Sequence, residues 1–157
     1  MRMFRTRSKR RVFMTVMVVL IAMGAAAPAV AQTSVGVMLG EPSGLSAKQW
    51  IGDNSAVDLA VAWSFLAGGS FYVHVDYQQH FDDFDIDEGD LHWFVGGGAK
   101  MAVSSSALSL GVRVPLGLFY VFEDVPIELF LEVAPGIDLF PAFLINGGGG
   151  IGVRYRL

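Results

Sequence analysis

Large apolar and small or polar residues alternate with a period of two along most of the chain after residue 32. The clearest run lies in 56–66, where every odd position is large and apolar: Val57, Leu59, Val61, Trp63 and Phe65. Such alternation is typical of a β-strand with two different faces. The same period predicts eight strands, near 34–40, 44–51, 56–66, 71–81, 91–103, 107–122, 127–139 and 144–157.

Turn-forming residues separate these strands. Glycine, proline, serine, aspartate and asparagine concentrate between the apolar runs, in 40–44, 52–54, 67–70, 104–106 and 123–126. Eight consecutive strands with mostly short connections predict an antiparallel meander, and closure of the meander removes its exposed edges. The expected fold class is therefore all-β, an eight-stranded antiparallel up-and-down β-barrel.

The two faces of the strands decide what surrounds the barrel. The apolar face carries 39 large apolar residues, whereas a narrow eight-stranded barrel packs only about a dozen side chains inside. Every charged residue within the predicted strands lies on the other face, five of each sign: Lys48, Asp58, Asp76, Lys100, Arg113, Glu128, Glu132, Asp138, Arg154 and Arg156. We therefore expect a transmembrane barrel with lipid outside and a balanced charge network in the lumen. The alternative, a soluble barrel with an apolar interior, would expose a glycine-rich, sparsely charged face to water.

Aromatic residues gather near the strand ends on the apolar face. They predict the two interfacial girdles of a membrane barrel. One rim would hold Trp63, Phe65 and Phe71, and the other Tyr77, Phe81, Trp93, Tyr120, Phe122 and Tyr155. On the interior face, Trp50 and Phe119 are expected to plug the lumen.

The first 31 residues have the three parts of a secretory signal peptide. A basic stretch reaches Arg11, an apolar stretch covers 12–27, and the small-x-small end is Ala29-Val30-Ala31. We expect cleavage after Ala31, which leaves one domain, the barrel, over 32–157. An export signal followed by a transmembrane barrel predicts the bacterial outer membrane, with both mature termini and the acidic loop 82–90 on the periplasmic side.

Charge and cysteine content exclude several classes of partner and site. Residues 32–157 carry 5 basic against 15 acidic residues, which argues against nucleic acid because phosphate binding needs a basic surface. The chain has no cysteine. It therefore has no disulfide, no thiolate metal site and no cysteine nucleophile.

Two segments hold candidate chemistry. His74, Asp76, Gln78 and His80 share one face of the fourth predicted strand, and with Ser64 or Ser109 across the lumen they suggest a hydrolase acting on lipid A. A nucleophile that works on lipid must open toward lipid, and these residues share the interior face with the charges. We expect a hydrogen-bonded lumen with no catalytic residues and no cofactor.

The acidic segment 82–90 has the composition of a calcium loop. It does not fit the EF-hand pattern, because Glu88 stands where glycine belongs and Phe94 where the closing glutamate belongs. We predict a solvated loop over 82–90 and no metal site.

The opening stretch 36–50 reads G-V-M-L-G-E-P-S-G-L-S-A-K-Q-W. It resembles a family of small bacterial outer-membrane barrels, OmpA-like or porin-like, that open with G-x-x-L-G-E-P-[TS]-G-x-S-x-K-x-W. Residues 110–117, 130–136 and 150–155 also resemble blocks of this family, and 151–157 resembles the C-terminal signal read by the barrel-assembly machinery. The resemblance implies an eight-stranded outer-membrane barrel with no catalytic residues. The implied partners are outer-membrane lipid and that machinery.

These patterns lead to one functional hypothesis with two alternatives. The first is a structural or interaction role in the cell envelope, with the lumen closed by its charge network. The alternatives are a narrow gated channel for small solutes and a lipid A-modifying enzyme.

Overall fold

The computed structural model describes residues 32–65, 69–84 and 89–157. The predicted signal peptide, 1–31, lies outside the described residues. None of the described residues forms a helix long and apolar enough to cross a membrane. Nine strands are found in the described part: β1 (Thr33–Glu41), β2 (Ser43–Trp50), β3 (Ser55–Ser64), β4 (Ser70–Phe84), β5 (Asp90–Val103), β6 (Leu108–Arg113), β7 (Leu116–Val121), β8 (Ile127–Phe140) and β9 (Leu144–Arg156).

All pairings between these strands are antiparallel, and they close the sheet on itself. Each strand from β1 to β5 pairs with the next, β6 and β7 both lie between β5 and β8, and β8 pairs with β9. The first and last strands then pair from Ser34 with Arg156 to Glu41 with Gly149. The predicted all-β up-and-down barrel is confirmed, and closure satisfies the backbone groups that would otherwise form two open edges.

One predicted strand, 107–122, is interrupted. It forms two strands, β6 and β7, with Val114 and Pro115 between them. The two strands together occupy one place in the barrel wall, between β5 and β8. Proline has no N–H and cannot continue the ladder; the Pro115 carbonyl still accepts from Gly96 N at 2.8 Å. The side-chain alternation continues through the break, since Arg113 and Phe119 are both buried. The barrel therefore has eight walls built from nine strands.

The predicted loop 82–90 is wrong at its first three residues and at its last, since β5 begins at Asp90. Strand β4 continues to Phe84, which pairs with Leu91 of β5 after a register shift that follows Phe81. The β4–β5 ladder is therefore longer than predicted, with β4 of 15 residues and β5 of 14. Residues 85–88 lie outside the described part of the chain.

The apolar face of the strands points outward, as predicted. On β8, Leu131 is 52% exposed and Val133 is 54% exposed, whereas the flanking Phe130 and Glu132 are buried. Near the strand ends, Phe81 stacks on Trp93 with ring centroids 4.3 Å apart, and Tyr120 contacts Phe122 at 4.8 Å. Such a surface suits the hydrocarbon layer of a membrane, because the ladders of a closed barrel pair the backbone groups of its wall.

The two ends of the barrel differ. The end that carries Gln32 and Leu157 is here called the terminal end, and it also holds the β2–β3, β4–β5 and β7–β8 connections. The opposite end is called the mouth. Its connections are short: Pro42 between β1 and β2, residues 65–69, residues 104–107, and residues 141–143.

Candidate functional site in the barrel lumen

Charged side chains of the strands point into the barrel, where they form three groups at successive heights. One group surrounds Arg154, the next surrounds Arg113, and the third surrounds Lys100 nearest the mouth. All three central side chains are buried. Buried charges of this kind require opposite charges and hydrogen bonds close by.

The group nearest the terminal end is centred on Arg154. Its guanidinium binds Asp58, Nη1 donates to Glu128 Oε1 at 3.1 Å, and Nη2 donates to Ser46 Oγ at 2.7 Å. Lys48 Nζ lies 3.1 Å from the same Glu128 oxygen. One guanidinium thus links strands β2, β3, β8 and β9.

The middle group is centred on Arg113. The guanidinium binds Glu132, and its Nε lies 3.1 Å from Asp76 Oδ2. Asp76 stands directly across from Asp58 in the β3–β4 ladder, where two like charges are unfavourable. Arg113 and Arg154 each neutralise one of these carboxylates, so the two groups depend on each other.

His74 joins these two groups. Arg113 Nη1 lies 2.9 Å from His74 Nδ1, and a guanidinium only donates hydrogen bonds. The Nδ1 atom must therefore accept, which places the ring hydrogen on Nε2. That atom lies 3.5 Å from both Asp58 and Asp76, so a neutral imidazole bridges the two carboxylates.

The group nearest the mouth corrects a partner assignment. Register arithmetic on the predicted hairpin pairs Arg113 near position 136 and makes Asp138 the closer partner, with Glu132 as the alternative. The register is right, since Arg113 pairs with Gly136. The closer partner is wrong, because Asp138 binds Lys100 at 2.8 Å, and Asn146 also binds Lys100. The alternative, Glu132, is the residue that binds Arg113.

Interior glycines explain how charges reach past the adjacent strand. Lys100 pairs with Gly111, and Gly111 pairs with Asp138, so the lysine side chain crosses over Gly111 to its partner. A Cβ at Gly111 would lie 2.9 Å from Lys100 Cε and 2.3 Å from the backbone oxygen of Ile137, closer than such atoms pack. The same arrangement occurs in two further sets: Asp76, Gly98 and Arg113, and Arg154, Gly36 and Ser46.

This arrangement gives a test at Gly111. We expect Gly111→Val to displace Lys100 from Asp138 and to lower the free energy of unfolding by about 1–3 kcal/mol, as overpacking does. The matched control is Gly97→Val, because a Cβ at Gly97 meets nothing within 4 Å on the outer face. Urea titration of both variants in lipid vesicles measures the difference. Equal stabilities of the two variants would contradict the passage of the Lys100 side chain over Gly111.

An apolar cluster fills the lumen beside the Arg154 group. It consists of Met38, Phe94, Phe119 and Phe130, with Trp50 and Val121 packed against it. Lys48 Nζ lies 4.2 Å from the centroid of the Phe119 ring, and the Arg154 guanidinium carbon lies 3.9 Å from the centroid of Phe130. Glycines again make room: a Cβ at Gly117 would come within 2.5 Å of Phe94.

The sequence predicted only part of this cluster. Trp50 and Phe119 were expected in the lumen, whereas Met38, Phe94 and Phe130 were not identified. Phe94 and Phe130 lie on the charged face of β5 and β8, and Met38 lies on the small, uncharged face of β1. This parity is the signal that could have found them. The interior is therefore partly apolar as well as ionic.

Cavities lie on both sides of this blocked centre. One of about 320 Å³ opens at the mouth and is lined by Lys100, Asp138, Asn146 and residues of the adjacent turns. The other, of about 200 Å³, opens at the terminal end and is lined by residues that include Trp50 and Arg156. Arg156 forms no ion pair with the network among the described residues, although it lines this cavity together with Glu128.

The candidate catalytic residues are held in other contacts. Ser64 Oγ donates to Glu41, and His74 contacts Arg113, two aspartates and the Tyr72 ring, so no serine–histidine pair forms from them in the described part of the chain. Gln78 and His80 are buried without a hydrogen-bond partner among the described residues. The expected hydrogen bonding therefore fails at these two positions. His80 packs on Trp50 instead, with centroids 4.5 Å apart.

No group of three or more potential metal ligands occurs among the described residues. The acidic segment falls partly outside them, at 85–88. The expectation that it forms a solvated loop without calcium therefore stays a prediction at these four positions.

Comparison with known proteins adds evidence on the fold. No family model and no curated protein matches the chain, so the family resemblance drawn from 36–50 stays a prediction. The N-terminal β-barrel domain of Pseudomonas aeruginosa OprF is similar in structure, with a TM-score of 0.61, 14% identity, and coverage of 81% of this chain and 96% of that chain.

Two further solved structures are similar. A de novo designed transmembrane β-barrel has a TM-score of 0.52 at 12% identity and covers 83% of this chain and 98% of its own. The Yersinia pestis outer membrane protein Ail has a TM-score of 0.47 at 15% identity, over 81% of this chain and 99% of that chain. With its apolar exterior and closed wall, the chain has the fold of an eight-stranded transmembrane β-barrel.

Proposed function

We propose that this chain is a bacterial outer-membrane barrel with a closed lumen, which serves a structural or interaction role in the cell envelope. The observation that carries the proposal is the continuous barrier between the two cavities. It combines the ion groups of Arg154 and Arg113 with the cluster around Phe119. A solute that enters from either end meets buried, mutually paired side chains.

The energy of the ion groups supports a closed state. Arg113, Glu132, Asp76 and Asp58 are all buried, and each contacts an opposite charge. Separating such a pair inside a low-dielectric wall leaves uncompensated charges, which costs several kcal/mol. Opening the lumen would require separating several pairs together.

The exterior supports the membrane location. Outward-facing Leu131, Val133, Ile151 and other large apolar residues form the surface that lipid would cover. The partners in this proposal are outer-membrane lipid and, during insertion, the barrel-assembly machinery, which would read the alternating last strand 151–157. The resemblance of 36–50 to small outer-membrane barrels is in line with this role.

The interior position of the candidate catalytic groups favours a role without catalysis. Ser64 and His74 face the lumen, and neither opens toward the lipid that a lipid A-modifying enzyme would act on. The closed lumen equally disfavours a porin. The role that remains is to stabilise the membrane or to present the barrel ends to a partner.

Conductance of the refolded protein tests the closed lumen. We expect no single-channel steps when folded protein is added to a planar lipid bilayer, because both cavities end at the barrier. Folding in the same preparation is checked by the gel mobility, which should change on heating because folded barrels resist detergent unfolding. Reproducible steps from heat-shiftable protein would contradict the proposal and favour the narrow gated channel.

A further inference from the structure

The charges of the middle lumen group do not balance. Among the described residues, the group around Arg154 has two cations and two carboxylates, and the group nearest the mouth has one of each. In the middle group, the single charge of Arg113 faces the carboxylates of both Glu132 and Asp76. Arg156 does not supply the missing charge, because it lines the cavity at the terminal end. The middle group is therefore one positive charge short, which is costly for buried carboxylates.

The Asp76 side chain is enclosed on every side. It is 0% exposed, and its Oδ1 atom lies over Gly98, where a Cβ would overlap it. This Oδ1 atom has no hydrogen-bond partner among the described residues. The Oδ2 atom lies 3.1 Å from Arg113 Nε and 3.5 Å from His74 Nε2. A hydrated ion has no room beside this carboxyl group, whereas a proton needs none.

His74 does not hold this proton while it keeps its contact with Arg113. Its Nδ1 atom accepts from the guanidinium, and its Nε2 atom already carries the ring hydrogen that faces Asp58 and Asp76. Two carboxylates this close to one nitrogen favour protonation of one of them. Asp58 is bound by Arg154, whereas Asp76 has only a share of Arg113. We infer that Asp76 is a proton-binding site, with a neutral carboxyl group in the folded barrel at neutral pH.

The titratable and charged groups that face Asp76 come from each neighbouring strand. They are Asp58 on β3, Tyr72 and His74 on β4, Arg113 on β6 and Glu132 on β8. On β5, Gly98 stands opposite Asp76. Lys100, two positions nearer the mouth on β5, is bound by Asp138. The anions Asp58 and Glu132 therefore oppose ionisation of Asp76. With the proton bound, the middle of the barrier has no net charge.

Infrared spectroscopy tests this inference directly. A protonated carboxyl group has a C=O stretching band that an ionised carboxylate lacks. We expect this band at pH 7 in the folded parent protein in maltoside detergent, which has no carbonyl group of its own. We expect Asp76→Asn to remove the band. A parent spectrum without the band would overturn the inference, and this result does not depend on whether any variant folds.

A second aspartate provides the matched control. Asp138 also lies in the lumen, but it pairs one to one with Lys100. Asp138→Asn should therefore leave the infrared band unchanged. Heat-shifted gel mobility must show that both variants fold. A band that persists in Asp76→Asn, or that disappears in Asp138→Asn instead, would show that the proton is not bound at Asp76.

The pH dependence of unfolding measures the same proton. In the unfolded chain an aspartate is ionised above about pH 4, so the folded barrel binds one proton more and its stability falls as the pH rises from 5 to 7. Over this range the unfolding equilibrium constant of the parent, divided by that of Asp76→Asn, should rise about tenfold per pH unit. His74 and the other carboxyl groups are common to both proteins. A ratio that stays constant would contradict the inference. A closed, heat-shiftable barrel that fails these tests would still satisfy the proposed envelope role.

Discussion

Replacing Arg113 with methionine should destabilise the barrel by about 3–5 kcal/mol. Arg113 binds Glu132 and Asp76 and also donates to His74. Methionine has a similar length but no charge. The buried carboxylates of Glu132 and Asp76 would therefore lose their cation in the lumen. Urea unfolding in lipid vesicles, followed by tryptophan fluorescence, measures the loss.

A second substitution identifies the partner of Arg113. In the Arg113→Met background, Glu132→Gln should recover part of the lost stability, because it removes one of the uncompensated charges. Asp138→Asn should recover none, since Asp138 pairs with Lys100 and its loss leaves that lysine unpaired. If Arg113→Met alone is as stable as the parent, Arg113 does not lie in a closed lumen and the channel alternative gains support.

Replacing Leu131 with arginine should cost about 2–4 kcal/mol and impair assembly, as for a charge on the lipid face near the middle of the bilayer. Leu131 lies inside β8, four residues from its start at Ile127, points outward and is half exposed. Its neighbours across the ladders are Leu118 and Ile151, so no polar group is present to pair with a guanidinium. Heat-shifted mobility and urea unfolding report the two effects.

The control for Leu131 is the same substitution at the edge of the membrane. Val125 is exposed in the β7–β8 turn at the terminal end. Val125→Arg should cost no more than about 1 kcal/mol, because an arginine at the interface reaches water. A fully stable Leu131→Arg variant that assembles like the parent would show that this face does not contact lipid.

The direction of each side chain was determined by the sequence alone. In a strand the side-chain period is two, so assigning one apolar residue such as Leu131 to the outside places Glu132 and Glu128 inside. The structure confirms this parity on β8. It holds through the Pro115 break because the register with β8 is kept there: Arg113 pairs with Gly136 and Leu116 with Val133. The lengths of strands were less certain, since the end of β4 at Phe84 depends on pairing with β5.

The partners of the interior charges were decided only by the tertiary structure. Register relates a residue to its neighbours on adjacent strands, and it correctly pairs Arg113 with Gly136. Two features that cannot be deduced from register then decide which charges meet. Glycines such as Gly111 let Lys100 pass over a strand to Asp138, and the small radius of the closed wall brings Arg154 of β9 to Asp58 of β3, across two intervening strands.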